Sequence, residues 1–305
     1  GGVKNKAPFR RQRTGGRMQP VRTVPPSVGR DAAMQPRPQD SAKPQVRRRL
    51  VAICLAILAG CAPPVGEKRD EFGFNEVQRA ALSRDFAALQ ALVQAGADLN
   101  ASDPDRVTAL HRAARDGDVE VAKFLLSYGA RPDLVTSTGW TALHLAARAC
   151  KPKVAELLLQ YKADPLLPLP DGRTALHLAC AKNDYPTVET LLADWVYKDR
   201  TTPENGVGKK DSHGDMPLHL ALGQRDHRIA ALLVAKGADV NAPNGDGIVP
   251  MVTACEAGSD YLAALLFTNG GDPNAVSPKG MTALQAAKNS GNVALVQLLC
   301  QWGAR

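Results

Sequence analysis

The chain has 305 residues, 44% of them hydrophobic, which is ample for a sizeable buried core, and a net charge of +8. That charge is unevenly placed: residues 1–60 hold 13 Lys and Arg against 2 Asp and Glu, so the rest carries 25 basic against 28 acidic side chains, a net of −3. A phosphate-binding surface needs Lys and Arg clustered on the folded part, so nucleic acid is excluded as the expected partner.

The first feature in chain order is residues 47–64, RRRLVAICLAILAGCAPP. Its apolar run, residues 50–59, would extend about 15 Å as a helix, half of the roughly 30 Å bilayer core, which is too short for a conventional span. Arg47, Arg48 and Arg49 followed by this run read instead as the charged and hydrophobic parts of a secretory signal. The stretch Leu58-Ala59-Gly60-Cys61 resembles the lipobox of bacterial lipoproteins. That resemblance implies cleavage before Cys61 and acylation of its thiol. Translation from Met34 makes residues 34–60 the signal peptide, and residues 1–33 then read as disordered or mis-assigned upstream sequence. A single acyl chain holds weakly and stable anchoring takes two or more; lipoproteins of this kind carry three. Residues 61–74, with Pro63 and Pro64, read as an extended tether. Ala62 after the cysteine, where the family's retention signal has Asp, implies the outer membrane of a Gram-negative envelope, facing the periplasm.

Beyond the tether the chain repeats itself. TALH begins at Thr108, Thr141 and Thr174; related starts fall at Asn75, Met216, Val249 and Thr282, so the period is 33 residues with one interval of 42. Two residues before the start stand Gly73, Gly139, Gly172, Gly214, Gly247 and Gly280, with Arg106 the exception. A third mark lies 21 residues after the start at Gly96, Gly129, Gly237, Gly270 and Gly303, with Lys162 and Trp195 departing. Each unit reads as two helices. Thr108, Thr141, Thr174 and Thr282 supply an N-cap oxygen, and the second helix carries an apolar stripe such as Val121, Ala122, Leu125 and Leu126. The glycines suit left-handed helix ends and tight turns. No unit can bury its apolar face alone, so stability is a sum over neighbours.

Stretches such as TALHLAARACKPKVAELLLQYKAD resemble ankyrin repeats over residues 75–305. The resemblance implies an all-α solenoid of about seven helix-turn-helix repeats joined by hairpin-like loops. Arg79 in the first unit, and Gln297 and Gln301 in the last, read as solvent-facing caps. The added residues of the long interval, about 196–212, read as a lengthened tip with an Asn-Gly turn at Asn205-Gly206.

Recurring histidines invite a metal or a catalytic base. In the ankyrin family the histidine in the fourth position bonds the threonine and a neighbouring unit's backbone, which accounts for His111, His144, His177 and His219 without a ligand. His213, His219, Asp211 and Asp215 lack a zinc-ligand spacing. No metal, cofactor or enzymatic activity is expected. Cys180 and Cys255 replace small helix residues and Cys300 replaces a stripe leucine, so these read as packed thiols. In an oxidising periplasm the disulfide to consider pairs Cys150 with Cys180. The resemblance places partner contacts at the turn tips and just past the alanine pair. These positions are Val107, Arg115 and Asp116; Thr138, Trp140 and Arg148; and Asp171, Arg173 and Lys182. Trp140 with Arg115, Arg148, Arg173 and Lys182 combines types common in interface hot spots. The expected function is a monomeric, lipid-anchored protein-binding module, a scaffold or accessory factor of the envelope, touching the membrane through its anchor alone. The alternatives are an inhibitor or immunity protein covering a periplasmic toxin, and a cytoplasmic effector-like ankyrin protein.

Overall fold

The computed structural model describes residues 73–193, 196, 206–224 and 227–305, all within one compact unit, Arg49–Arg305. The leader, Cys61 and the tether as far as residue 72 lie outside the described residues, as do Trp195 and most of the lengthened interval. The described residues form fourteen helices and no strand. They fall into seven pairs: α1 (Glu76–Leu82) and α2 (Phe86–Gln94); α3 (Ala109–Asp116) and α4 (Val119–Ser127); α5 (Ala142–Arg148) and α6 (Pro152–Gln160); α7 (Ala175–Ala181) and α8 (Tyr185–Leu191); α9 (Pro217–Leu222) and α10 (Arg228–Ala235); α11 (Pro250–Glu256) and α12 (Asp260–Thr268); α13 (Ala283–Ser290) and α14 (Val293–Gln301). None of these helices is long and apolar enough to cross a membrane.

The first helix of each pair starts where its cap dictates. Thr108, Thr141 and Thr282 adopt extended backbone and accept from the N–H three residues on, satisfying one of the helix's orphan donors. The side chain three residues on reaches back to the cap's own N–H, so a histidine performs what Glu or Gln does in a capping box. The first repeat does the same with Asn75 and Gln78, at 3.0 and 2.8 Å.

Stacking follows from two positions that never vary. Five residues after every start stands alanine: Ala80, Ala113, Ala146, Ala179, Ala221, Ala254 and Ala287, all buried. Seventeen after it stands leucine: Leu92, Leu125, Leu158, Leu191, Leu233, Leu266 and Leu299, also buried. The alanines allow first helices to approach closely, and first helices contact one another more extensively than second helices do.

Backbone conformation follows the glycine marks and extends them. Gly139 has φ +82, and two of the three exceptions, Arg106 at +59 and Lys162 at +66, keep the left-handed conformation without glycine. A third left-handed position, nine residues after the start, joins the two helices of a repeat. It holds Gly117, Gly258 and Gly291, but also Arg84, Cys150 and Asn183 at φ +53, +55 and +55.

Two expectations are corrected. Cys300 is exposed, not packed: its position rests on the following repeat in inner units, and no eighth repeat covers it among the described residues. The tip of the fifth repeat has ordinary geometry, Asp211 N–H to the Asp215 carbonyl at 2.9 Å with Gly214 left-handed. The tip itself is therefore not lengthened; residues 197–205, with Asn205 of the expected Asn-Gly turn, lie outside the described residues. Cys150 and Cys180 are both free, Cys150 exposed and Cys180 buried, with burial pushing the Cys180 thiol well up.

Candidate protein-binding surface

Each tip is a short loop closed on itself and tied to the next. In the third repeat Thr136 N–H donates to the Trp140 carbonyl at 3.0 Å, and Trp140 N–H returns to Thr136 Oγ1 at 3.1 Å. Ser137 N–H donates to the Asp105 carbonyl of the preceding tip at 2.8 Å. The same tip-to-tip bond links Ser212 to Asp171 and Gly245 to His213, at 2.8 and 2.9 Å. At three other joints the donor position is proline, and Pro104, Pro170 and Pro278 instead lie over Gly73, Gly139 and Gly247. A Cβ on Gly139 would meet Pro170 Cδ at 2.8 Å.

The histidines form a second set of ties. His111 Nδ1 accepts from Thr108 N–H at 3.1 Å, which leaves its proton on Nε2, and Nε2 donates to the Leu134 and Trp140 carbonyls of the next repeat at 2.9 and 3.1 Å. His177 reaches the Asp215 carbonyl at 3.2 Å and His219 the Ala242 carbonyl at 3.1 Å. Both nitrogens of these rings are thus engaged, and no lone pair remains for a metal. In the first repeat Gln78 Nε2 donates to the Val107 carbonyl at 2.7 Å, a histidine's role that reading the motif as TALH overlooks. His144 is the exception: its buried Nε2 faces the matching Leu167 and Arg173 carbonyls but closes a well-formed hydrogen bond to neither. Burial lowers the pKa of all four imidazoles, that of His144 to about 4. Asp211, weighed as a metal ligand, spends its Oδ1 on the His213 and Asp215 N–H groups of its own tip.

Between the second and third repeats the tips and first helices enclose a groove of about 400 Å³, lined in part by Val107, Arg115, Thr138, Trp140, Leu145 and Arg148. Trp140 is half-buried and packs on the core. Its ring stands edge-on to His144 at 6.2 Å, and the Arg148 guanidinium lies 5.1 Å from its centre. Arg115 pairs with its neighbour Asp116 at 2.9 Å, both side chains well exposed. Arg112 also lines the groove, but it is held by Asp103 at 2.7 Å and lies 4.1 Å over the Phe74 ring.

The structure thus brings Arg115, Trp140 and Arg148 together. Arg173 and Lys182 do not line this groove. Arg173 is paired within its own tip to Asp171 at 2.6 Å, and that hydrogen bond holds the Asp171 carboxyl below the usual carboxylate range. Lys182 is exposed at the C-cap of α7.

Residues 77–168 and 165–244 match the family model for ankyrin repeats in three copies, and the chain belongs to the ankyrin repeat family. Its fold is a helical ankyrin-repeat solenoid. It is similar to the ankyrin repeat domain of Bcl-3, described as a unique member of the IkappaB protein family, at 27% identity and TM-score 0.63. That match covers 74% of this chain and 99% of the other. An ankyrin repeat domain from Acinetobacter baumannii AYE is 26% identical at TM-score 0.57, covering 64% of this chain and 98% of its own. The human ASB11 ankyrin repeat domain, at 23% identity and TM-score 0.59 over 73% and 96%, shares the fold. No curated protein matches the sequence. Ankyrin arrays are typically non-catalytic interaction scaffolds, and no enzymatic family is indicated.

Proposed function

We propose that this ankyrin array is a protein-binding module held at the periplasmic face of the outer membrane by lipid on Cys61, serving as a scaffold or accessory factor in the envelope. The binding half of the reading is carried by the groove at Trp140, which offers a half-buried aromatic under an exposed guanidinium, in the family whose arrays bind proteins. The anchoring half is supported by residues 47–61, whose arginines, short apolar run and small residues before Cys61 agree with a lipoprotein signal.

Two measurements test the halves separately. Labelled palmitate added to cells should enter the intact protein and not Cys61→Ala; label surviving that change overturns the anchor. Capture from envelope fractions should lose its specific partner with the Trp140→Ala, Arg148→Ala variant. An unchanged set of captured proteins overturns the groove.

A further inference from the structure

We infer that the groove between the second and third repeats takes an extended acidic peptide segment, its carboxylates meeting Arg115 and Arg148 while an apolar side chain rests on Trp140. This rests on the reading of the groove as a protein-binding surface and names the chemistry of its occupant. The argument is one of unmatched charge. Of the three arginines lining the groove, Arg112 is already neutralised by Asp103 and pinned on Phe74. Arg115 has only the exposed Asp116 pair, 56% and 46% open to solvent, which holds little energy and exchanges readily. Arg148 meets no carboxylate among the described residues and rests on the Trp140 ring. Against these two guanidinia the lining presents one carboxylate, Asp105.

Geometry fits the same occupant. Arg115 and Arg148 hold the same register on α3 and α5, which pack directly, so their helix axes stand about 10 Å apart. A peptide extended as polyproline II has three residues per turn and rises about 3.1 Å per residue, so two carboxylates three residues apart share a face and span that gap. The floor between them is apolar, with Val107, Trp140 and Leu145. A planar guanidinium suits a carboxylate in two-pronged contact, and Arg148 is steadied in place by the indole beneath it.

The test is to pan a random twelve-residue peptide display library on the full chain in detergent, with Arg148→Glu and Trp140→Ala as parallel targets. Far-ultraviolet circular dichroism checks that each variant is folded. Arg148 is exposed, so its reversal leaves the fold intact even where Trp140→Ala does not. The expected result is at least tenfold enrichment of peptides with Asp or Glu flanking Leu, Phe or Tyr, and at least tenfold lower retention of them by Arg148→Glu. Raising salt should weaken retention as well. Neutral or basic peptides that depend on Trp140 would overturn the acidic preference and leave the binding surface standing. Peptides retained equally by all three targets, or no enrichment at all, would overturn the groove itself.

Discussion

The joint between repeats two and three and the joint between repeats three and four begin from the same four residues, TALH, yet they are built differently. At the first, His111 donates to two carbonyls of the next repeat, Ser137 ties tip to tip, and Asp133 Oδ1 accepts from Asp164 N–H at 2.9 Å. At the second, the His144 Nε2 faces the Leu167 and Arg173 carbonyls without closing a well-formed bond to either, Pro170 offers no N–H, and Leu166 stands where Asp133 stood. Pro170 packs over Gly139 and Leu166 against Gly206 there, and the Cys150 thiol lies beside the Asp184 carboxylate. The motif sets the cap of its own helix, while the strength of the joint depends on what the next repeat presents. The groove at Trp140 lies across the joint that has all three polar ties.

The largest effect should come from the apolar packing that both joints share. Leu158→Ala removes a fully buried side chain from α6, flanked by α4 and α8, and should cost about 3–4 kcal/mol in denaturant unfolding. Acid comes next and bears most on the second joint. The His144 pKa is near 4 when folded, below the unfolded value of about 6.5. The unfolded chain takes up the proton first, so this contribution is whole above about pH 6.5 and is lost as pH falls toward about 4. It amounts to ~3 kcal/mol at the acid end. Midpoints measured from pH 7 to pH 4 should fall less steeply for His144→Gln than for the unaltered chain.

A smaller effect separates the tips. Ser137→Pro copies Pro170 into the first joint and removes the bond to the Asp105 carbonyl, at about 1 kcal/mol. The smallest should be Pro170→Ser, a few tenths of a kcal/mol in either direction, because the donor it restores is offset by a looser unfolded chain. Thermal midpoints of the pair check both.

Much of this was legible because it recurs. The 33-residue period, the glycine register and the threonine caps show themselves by repetition, and Thr108, Thr141, Thr174 and Thr282 start helices where expected. Ties between residues about 30 apart recur too, but in changing chemistry. Gln78 stands in for histidine. Asn100 and Asn241 hold the N–H groups of Arg131 and Asp272, as Asp133 holds that of Asp164. No fixed residue type flags such a position. The left-handed joint nine residues after the start went unread because Arg84, Cys150 and Asn183 occupy it in place of glycine. In the candidate surface, Arg115, Trp140 and Arg148 share the groove through their register, whereas Arg173 is claimed by Asp171 in its own tip.

The claim that one motif makes unequal joints is tested most directly by urea unfolding of His111→Ala and His144→Ala side by side. Both variants lose the same bond to the cap's N–H, so that loss cancels and the difference reads how well each Nε2 closes on the carbonyls of the next repeat. His111→Ala should be the less stable by about 1 kcal/mol or more. Equal losses, or a greater loss at His144, would contradict the account.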